Sequence, residues 1–196
     1  MIARSTRAEV TSANRSAVLR CARREFERNG YHGAVLARIA EAAGFSEGVV
    51  YSQFGSKADL FLAVLEASID DRAAVLMEAA RGASGIDELR RIALDQSVAS
   101  LAWQATLIEF RVHAWRDPDL NDRYRALHAR TVENVVQAMS VMLPDRRDGI
   151  GRVAFAVLAA SAGVTLEVMA DSSVDAAGVL DDLILIASVE TRGPRT

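Results

Sequence analysis

The chain has 196 residues, 51% of them hydrophobic, with three prolines and a formal net charge of −3. This length can bury a hydrophobic core, and the scarcity of proline favours long helices. The single cysteine, Cys21, excludes an intramolecular disulfide framework. Residues 1–60 hold nine Lys or Arg against six Asp or Glu, whereas residues 61–196 hold fourteen against twenty. The basic excess is therefore confined to the N-terminal third, which keeps a nucleic-acid partner possible.

Two observations argue against a secreted or membrane protein. Residues 1–16 contain no apolar segment of the kind found in secretion signals. The longest apolar run, Val153–Leu166, has 14 residues, fewer than the ~18 that a spanning helix needs. We therefore expect a cytoplasmic protein without a membrane span.

The N-terminal part predicts three helices. Apolar residues at three- and four-residue steps indicate a first helix over about residues 11–29, which Gly30 ends. Two short helices follow, at about residues 35–43 and 46–53, and Gly44 lies in the turn between them. Two short helices joined by a tight turn with glycine are typical of a helix-turn-helix unit.

The remaining chain predicts six more helices, so the fold class is all-α with about nine helices. A long helix over residues 56–81 begins with a capping box formed by Ser56 and Asp59. The others are predicted over residues 86–102, 103–116, 119–143, 149–170 and 175–190. The helix over residues 149–170 is apolar over more than one face, and the helix over residues 175–190 carries a strong apolar stripe. Both helices therefore need a partner that covers their apolar side chains.

The stretch from Gly30 to Leu60 resembles the TetR family of transcriptional regulators. The residues that carry the resemblance are Gly30-Tyr31, Ile39-Ala40, Ala43-Gly44, Ser46, Gly48, Tyr51, Phe54 and Ser56-Lys57. The motif match extends over about residues 18–65. It implies an N-terminal three-helix DNA-binding domain at residues 1–60, joined to a helical ligand-binding and dimerisation domain at residues 61–196.

The resemblance also assigns contacts to operator DNA. It implies that Tyr51 and Lys57 contact backbone phosphates, although Tyr51 could instead be a core aromatic and Lys57 a solvated charge. Arg38 adds attraction to phosphates or is likewise only a solvated charge. The exposed face of the recognition helix is predicted to comprise Glu47, Gly48, Val49, Ser52 and Gln53, with Val50 and Phe54 turned inward. Ser46 is predicted to cap this helix, so that its first-turn N–H groups can face a phosphate.

Three of these residues have side chains that can contact base edges. Gln53 can read adenine through two hydrogen bonds, and Val49 can touch a thymine methyl group. Glu47 either accepts a hydrogen bond from cytosine or only stabilises the start of its helix. Base readout by these residues is an expectation that depends on their facing outward.

The sequence departs from the family pattern before the second helix. Ala34 and Val35 stand where the family usually has Thr or Ser, which would cap the helix and reach a phosphate. Losing this cap costs about 1 kcal/mol and one DNA contact. Val49 also replaces a common Thr.

For the second domain, the resemblance implies a ligand site and a homodimer formed through the last two helices. The candidate ligand-binding residues are Trp103, Leu107, Phe110, Arg111, His113, Met139, Phe155 and Met169. A mostly apolar set of this kind favours a small, largely apolar effector, although each residue could equally be part of the core. The expected function is a homodimeric repressor that such an effector releases from a palindromic operator.

Two other classes of function compete with this interpretation. Glu109, His113 and Asp117 lie at four-residue steps on one helix, which suggests a metal or acid–base site of an enzyme. Surface pairing along the helix explains that spacing more simply, so we expect no catalytic residues, no cofactor and no metal. A helical interaction module without DNA binding would leave Tyr51 and Lys57 unexplained.

Overall fold

The computed structural model describes residues 7–82, 101–144, 149–179 and 181–183. Within these ranges the chain forms helices and turns and no strand, which confirms the predicted all-α class. The chain divides into two compact units, Met1–Ser68 and Ile69–Thr196. The predicted helix over residues 86–102 lies outside the described residues except for its last two positions.

Three helices and the start of a fourth form the first unit. They are α1 (Arg7–Gly33), α2 (Leu36–Ala43), α3 (Glu47–Phe54) and α4 (Lys57–Gly82), the last of which continues into the second unit. Gly30 has a non-helical backbone (φ 68°, ψ 176°) inside α1. The regular helix thus ends at Gly30, as predicted, and α1 continues beyond this kink for one short turn to Gly33.

Aromatic rings form the centre of the first unit. The ring centroids of Phe26 and Phe61 are 5.0 Å apart, and those of Tyr31 and Phe61 are 5.4 Å apart. Arg23 Nη1 also donates a hydrogen bond to Ser68 Oγ at 2.7 Å. The first part of α4 therefore packs on α1 through these contacts, and the first compact unit extends to Ser68.

The turn between α2 and α3 is a Schellman motif. Gly44 is left-handed (φ 79°), and its N–H donates to Glu41 O at 3.0 Å. The N–H of Phe45 donates to Ala40 O at 2.9 Å. These bonds satisfy the last carbonyls of α2 and set the direction in which α3 leaves the turn.

The second unit contains three further described helices that pack on one another. They are α5 (Leu101–Ala114), α6 (Pro118–Met142) and α7 (Ile150–Ala170), and residues 176–179 and 181–183 are helical beyond them. Asp117 caps α6 by accepting a hydrogen bond from Leu120 N–H at 3.1 Å. One core cluster joins the end of α4 to α6 and α7 through Leu76, Ala80, Ala138, Met139, Met142, Ile150 and Ala154.

Helix α7 presents apolar side chains that this single chain leaves exposed. Phe155, Leu166 and Met169 are 57%, 49% and 55% exposed. By length and composition alone, α7 is the one described helix that could cross a bilayer. Only 17% of its most apolar stretch is buried. The predicted need of this helix for a covering partner therefore agrees with its exposure.

Candidate nucleic-acid interface

Helix α3 has one buried face and one broad exposed face. Val50 and Phe54 are buried, as the sequence predicts. Among the residues assigned to DNA contact, Gln53 is half-buried, whereas the exposed ones are Ser46, Glu47, Gly48, Val49, Tyr51 and Ser52. The exposed face can therefore meet a groove of DNA without any rearrangement of the core.

Tyr51 lies at the surface of α3, and Ser46 occupies its N-cap position. Tyr51 is 48% exposed, so the alternative that it is a core aromatic is wrong. Ser46 has the extended backbone of an N-cap (φ −77°, ψ 153°), but its hydroxyl forms no capping hydrogen bond. Its carbonyl oxygen accepts from Val49 N–H at 3.0 Å, so the N–H groups of Glu47 and Gly48 precede the first bond of the helix and have no partner within it.

An arginine of α1 lies against the inner side of α3. The guanidinium carbon of Arg15 is 4.6 Å from the centroid of the Phe54 ring. This cation–π contact holds a positive charge next to the end of α3. The predicted basic character of the N-terminal region thus reaches the interface through Arg15.

Lys57 lies at the start of α4 and binds the segment that joins α1 to α2. Its Nζ donates to His32 O at 3.1 Å and to Ala34 O at 3.2 Å, and it lies 5.0 Å from the centroid of the Tyr31 ring. Burial lowers the pKa of this ammonium group. An ammonium group has three hydrogens, and two of those of Lys57 hold the segment in place.

The motif residues around Lys57 explain how this arrangement forms. The left-handed Gly30 turns the chain so that Tyr31 is buried against Phe26 and Phe61. Burial, together with the charge of Asp59, raises the pKa of the Tyr31 hydroxyl. The glycine–aromatic pair therefore places an aromatic surface directly beneath the lysine.

The predicted capping box at the start of α4 is present. Asp59 N–H donates to Ser56 Oγ at 3.1 Å, and the Ser56 hydroxyl donates to Asp59 Oδ2 at 2.5 Å. The carboxylate thus bonds the hydroxyl of Ser56. These bonds fix the first turn of α4, from which the Lys57 side chain extends.

The start of α2 has no hydroxyl cap, as predicted from Ala34 and Val35. The structure places the carboxylate of Glu25 there, where it accepts hydrogen bonds from Val35 N–H and from Arg38 Nε. Arg38 therefore forms an ion pair with Glu25, while its own side chain stays 53% exposed. Sequence reasoning missed Glu25 because it lies on a different helix, ten residues before the group that it caps.

The candidate effector residues divide into three groups. Trp103 and Phe110 are buried on α5, where Leu107 and His113 are partly buried and Arg111 is exposed. Met139 belongs to the core cluster of α4, α6 and α7. Phe155 and Met169 are exposed on α7, so the prediction that they line the wall of an enclosed ligand site is not supported.

Two residues of α6 extend the α5 group and were not predicted. The ring centroid of Tyr124 is 6.0 Å from Phe110 and 6.3 Å from His128. Burial raises the pKa of Tyr124, and burial together with Arg111 lowers the pKa of His128. Their four-residue spacing on one helix was the available signal, but only the tertiary structure brings them to Phe110.

The enzyme interpretation gains no support from the described part of the chain. Glu109, His113 and Asp117 are all described, and the described ranges contain no group of three or more His, Cys, Asp or Glu residues suited to hold a metal ion.

Comparison with known proteins gives matches to a family model, to characterised relatives and to solved structures. Residues 18–64 match the family model described as bacterial regulatory proteins, tetR family. The transcriptional repressor AcnR of Corynebacterium diphtheriae is 31% identical over 125 residues, which are 64% of this chain and 62% of that protein. The chain spans between 53% and 62% of the AcnR relatives that it matches in three Corynebacterium species.

The matches to solved structures cover nearly the whole chain. A transcriptional regulator of Rhodococcus sp. Rha1 superposes with a TM-score of 0.71 at 22% identity, over 92% of this chain and 99% of that one. FadR of Bacillus subtilis, in complex with stearoyl-CoA, superposes with a TM-score of 0.68 at 13% identity, over 92% and 99%. At these identities the likeness concerns the fold.

Proposed function

Because the chain belongs to the TetR family of bacterial regulatory proteins, we propose that it is a cytoplasmic, homodimeric transcriptional repressor. Its α3 enters the major groove of a palindromic operator. A small, largely apolar effector binds the second unit and releases the DNA. The observation that supports DNA binding is the exposed face of α3, whose opposite face is buried through Val50 and Phe54.

The side chains on α3 suit the two kinds of contact that specific binding needs. Tyr51 has an exposed phenol that can donate to a phosphate oxygen. Gln53 and Val49 offer an amide and a methyl group for base edges. Two copies of this face, about 34 Å apart, would fit successive half-sites of a palindrome.

A mobility-shift assay with DNA from upstream of the protein's own gene tests this proposal. Tyr51→Ala should weaken binding about tenfold or more, because it removes a phosphate contact without opening the core. Val75→Ala, which truncates an exposed side chain of α4, is the control and should bind like the wild type. Equal binding by wild type and Tyr51→Ala would contradict the proposed role of α3.

The proposed effector site lies between α5 and α6. Trp103 and Phe110 provide buried apolar surface, and Tyr124 and His128 add polar groups beside it. The neighbour FadR holds stearoyl-CoA, a ligand with a long apolar chain, which supports an apolar effector for this chain as well. Helix α4 contributes residues to both units, so we assign to it the transmission of effector binding to the DNA-binding domain.

The effector part is tested in the Trp115→Phe variant, which leaves Trp103 as the only tryptophan. Stearoyl-CoA and the free fatty acid serve as probes, and binding should change the emission of the buried Trp103 and release the DNA complex. A probe that releases DNA without changing this emission would place the site elsewhere. No response to either apolar probe, with DNA binding intact, would overturn the apolar class of effector.

A further inference from the structure

The start of α2 is capped by a side chain from another helix, α1. Helix α2 begins after Val35, whose side chain cannot accept a hydrogen bond, and Ala34 precedes it. The first N–H groups of a helix carry partial positive charge and lack partners within the helix. Here Glu25 of α1 supplies an acceptor, since its Oε1 receives Val35 N–H at 3.2 Å.

The same carboxylate oxygen binds the arginine of the first turn of α2. Arg38 Nε donates to Glu25 Oε1 at 2.8 Å, and Arg38 Nη2 donates to Gly33 O at 3.0 Å. The side chain of Glu25 is only 10% exposed, whereas that of Arg38 is 53% exposed. Glu25 is therefore fixed beneath the surface, and it compensates a charge that lies at the surface.

This arrangement has a consequence for DNA affinity. A free arginine and an open helix end both attract phosphates. A carboxylate within bonding distance of both reduces that attraction, because it neutralises the arginine and fills the positive end of the helix. The affinity for any DNA sequence should fall, whereas base contacts from α3 are unaffected.

We propose that Glu25 sets the sequence-independent DNA affinity of this domain: it caps α2 in place of the absent hydroxyl and holds Arg38 in an ion pair that withholds its charge from the DNA backbone. The proposal rests on the proposed DNA-binding function. It makes Glu25 a determinant of absolute DNA affinity, because the ion pair lowers the backbone attraction to operator and random DNA alike.

Glu25→Gln separates the two roles of the residue. Glutamine keeps a side-chain oxygen for Val35 N–H but loses the charge that pairs with Arg38. The matched control is Glu41→Gln, which removes one negative charge from an exposed side chain of α2, the helix that carries Arg38. The double variant Glu25→Gln/Arg38→Gln tests whether any change depends on the arginine.

Binding is measured against a random-sequence duplex and the upstream duplex at several salt concentrations. Glu25→Gln should bind the random duplex roughly threefold to tenfold more tightly, with a salt dependence steeper by up to about one released counterion. Glu41→Gln should change affinity less than twofold, and the double variant should return to the wild-type level. A gain equal to that of Glu41→Gln, or one that persists without Arg38, would overturn the proposal.

Hydrogen exchange of the α2 amides tests the capping role without DNA. Glu25→Ala should lose protection over α2 about fivefold to tenfold, which corresponds to the loss of one cap, whereas Glu25→Gln should keep it. Val35→Thr, added to Glu25→Ala, should restore protection by supplying the hydroxyl. Unchanged protection in Glu25→Ala would show that Glu25 caps nothing.

The DNA-binding and hydrogen-exchange measurements together distinguish a failure of this proposal from a failure of the proposed function. Wild-type protein that binds neither duplex at low salt would overturn DNA binding, and the affinity claim with it. The exchange measurement would still decide whether Glu25 caps α2. Wild-type binding with no difference between Glu25→Gln and Glu41→Gln would leave the function intact and refute the role of Glu25.

Discussion

At the residue scale, single charged side chains join segments that lie far apart in the sequence. Lys57 binds two carbonyl oxygens near the end of α1, 25 and 23 residues before it. Glu25 binds the start of α2. Each forms hydrogen bonds to backbone groups of another segment, so each supports the shape of the first unit.

Lys57→Met is expected to lower the free energy of unfolding by about 1–2 kcal/mol, because charge-assisted hydrogen bonds to two carbonyl groups are lost. Urea denaturation of the DNA-free protein measures this change. Arg20→Met, which removes the charge of an exposed side chain of α1, should change stability by less than about 0.5 kcal/mol. Equal effects of the two substitutions would show that the bonds of Lys57 contribute nothing.

His128 predicts a pH dependence of stability. Burial and Arg111 lower its pKa in the folded state, so the unfolded state binds the proton more readily. Stability is then complete above the unfolded pKa of about 6.5 and falls as the pH drops through that value towards the lower folded pKa. Thermal unfolding between pH 7.5 and 5.5 should show a smaller loss in His128→Gln than in the wild type. A parallel loss in both proteins would contradict this assignment.

At the element scale, the helices were predictable and their connections were not. Periodic apolar residues, Gly44 and the Ser56–Asp59 pair place most helix ends within a few residues of those observed. Such signals lie within one helix or one turn. The cap from Glu25 and the contact of Tyr124 with Phe110 join different helices, and no local spacing in the sequence encodes them.

The turn between α2 and α3 predicts opposite effects for two glycines. Gly44→Ala should destabilise the protein by about 1–2 kcal/mol, because alanine is strained at a φ of 79°, although space for its Cβ is open. Gly48→Ala lies inside α3 and should stabilise it by up to about 1 kcal/mol. Thermal or urea unfolding compares the two, and stabilisation by Gly44→Ala would be incompatible with the left-handed turn.

At the scale of the whole molecule, the second unit is incomplete as a single chain. The exposed apolar side chains of α7 occupy a helix that a monomer leaves in water, and a second copy of the chain is the partner that we propose for them. A dimer would also place two α3 helices on one DNA molecule. Under the proposed function, the same surface would serve both solubility and operator recognition.

Light scattering should give twice the mass of one chain for the wild type. Phe155→Glu/Leu166→Glu should shift the mass towards that of a monomer, because two charges would be buried without partners. Val112→Glu changes an equally exposed apolar residue of α5 and should remain a dimer. A wild-type protein that is monomeric, or that is recovered only with membranes, would contradict this interface.

Lys57 has one more consequence, which follows from its being the only lysine in the chain. Reagents that acylate amines at mildly alkaline pH can modify a single side chain of this protein. The rate at which that side chain is acylated therefore reports on one defined place, the contact of α4 with the end of α1. Besides the α-amino group, Lys57 is thus a native chemical reporter of local opening and, under the proposed function, of DNA occupancy.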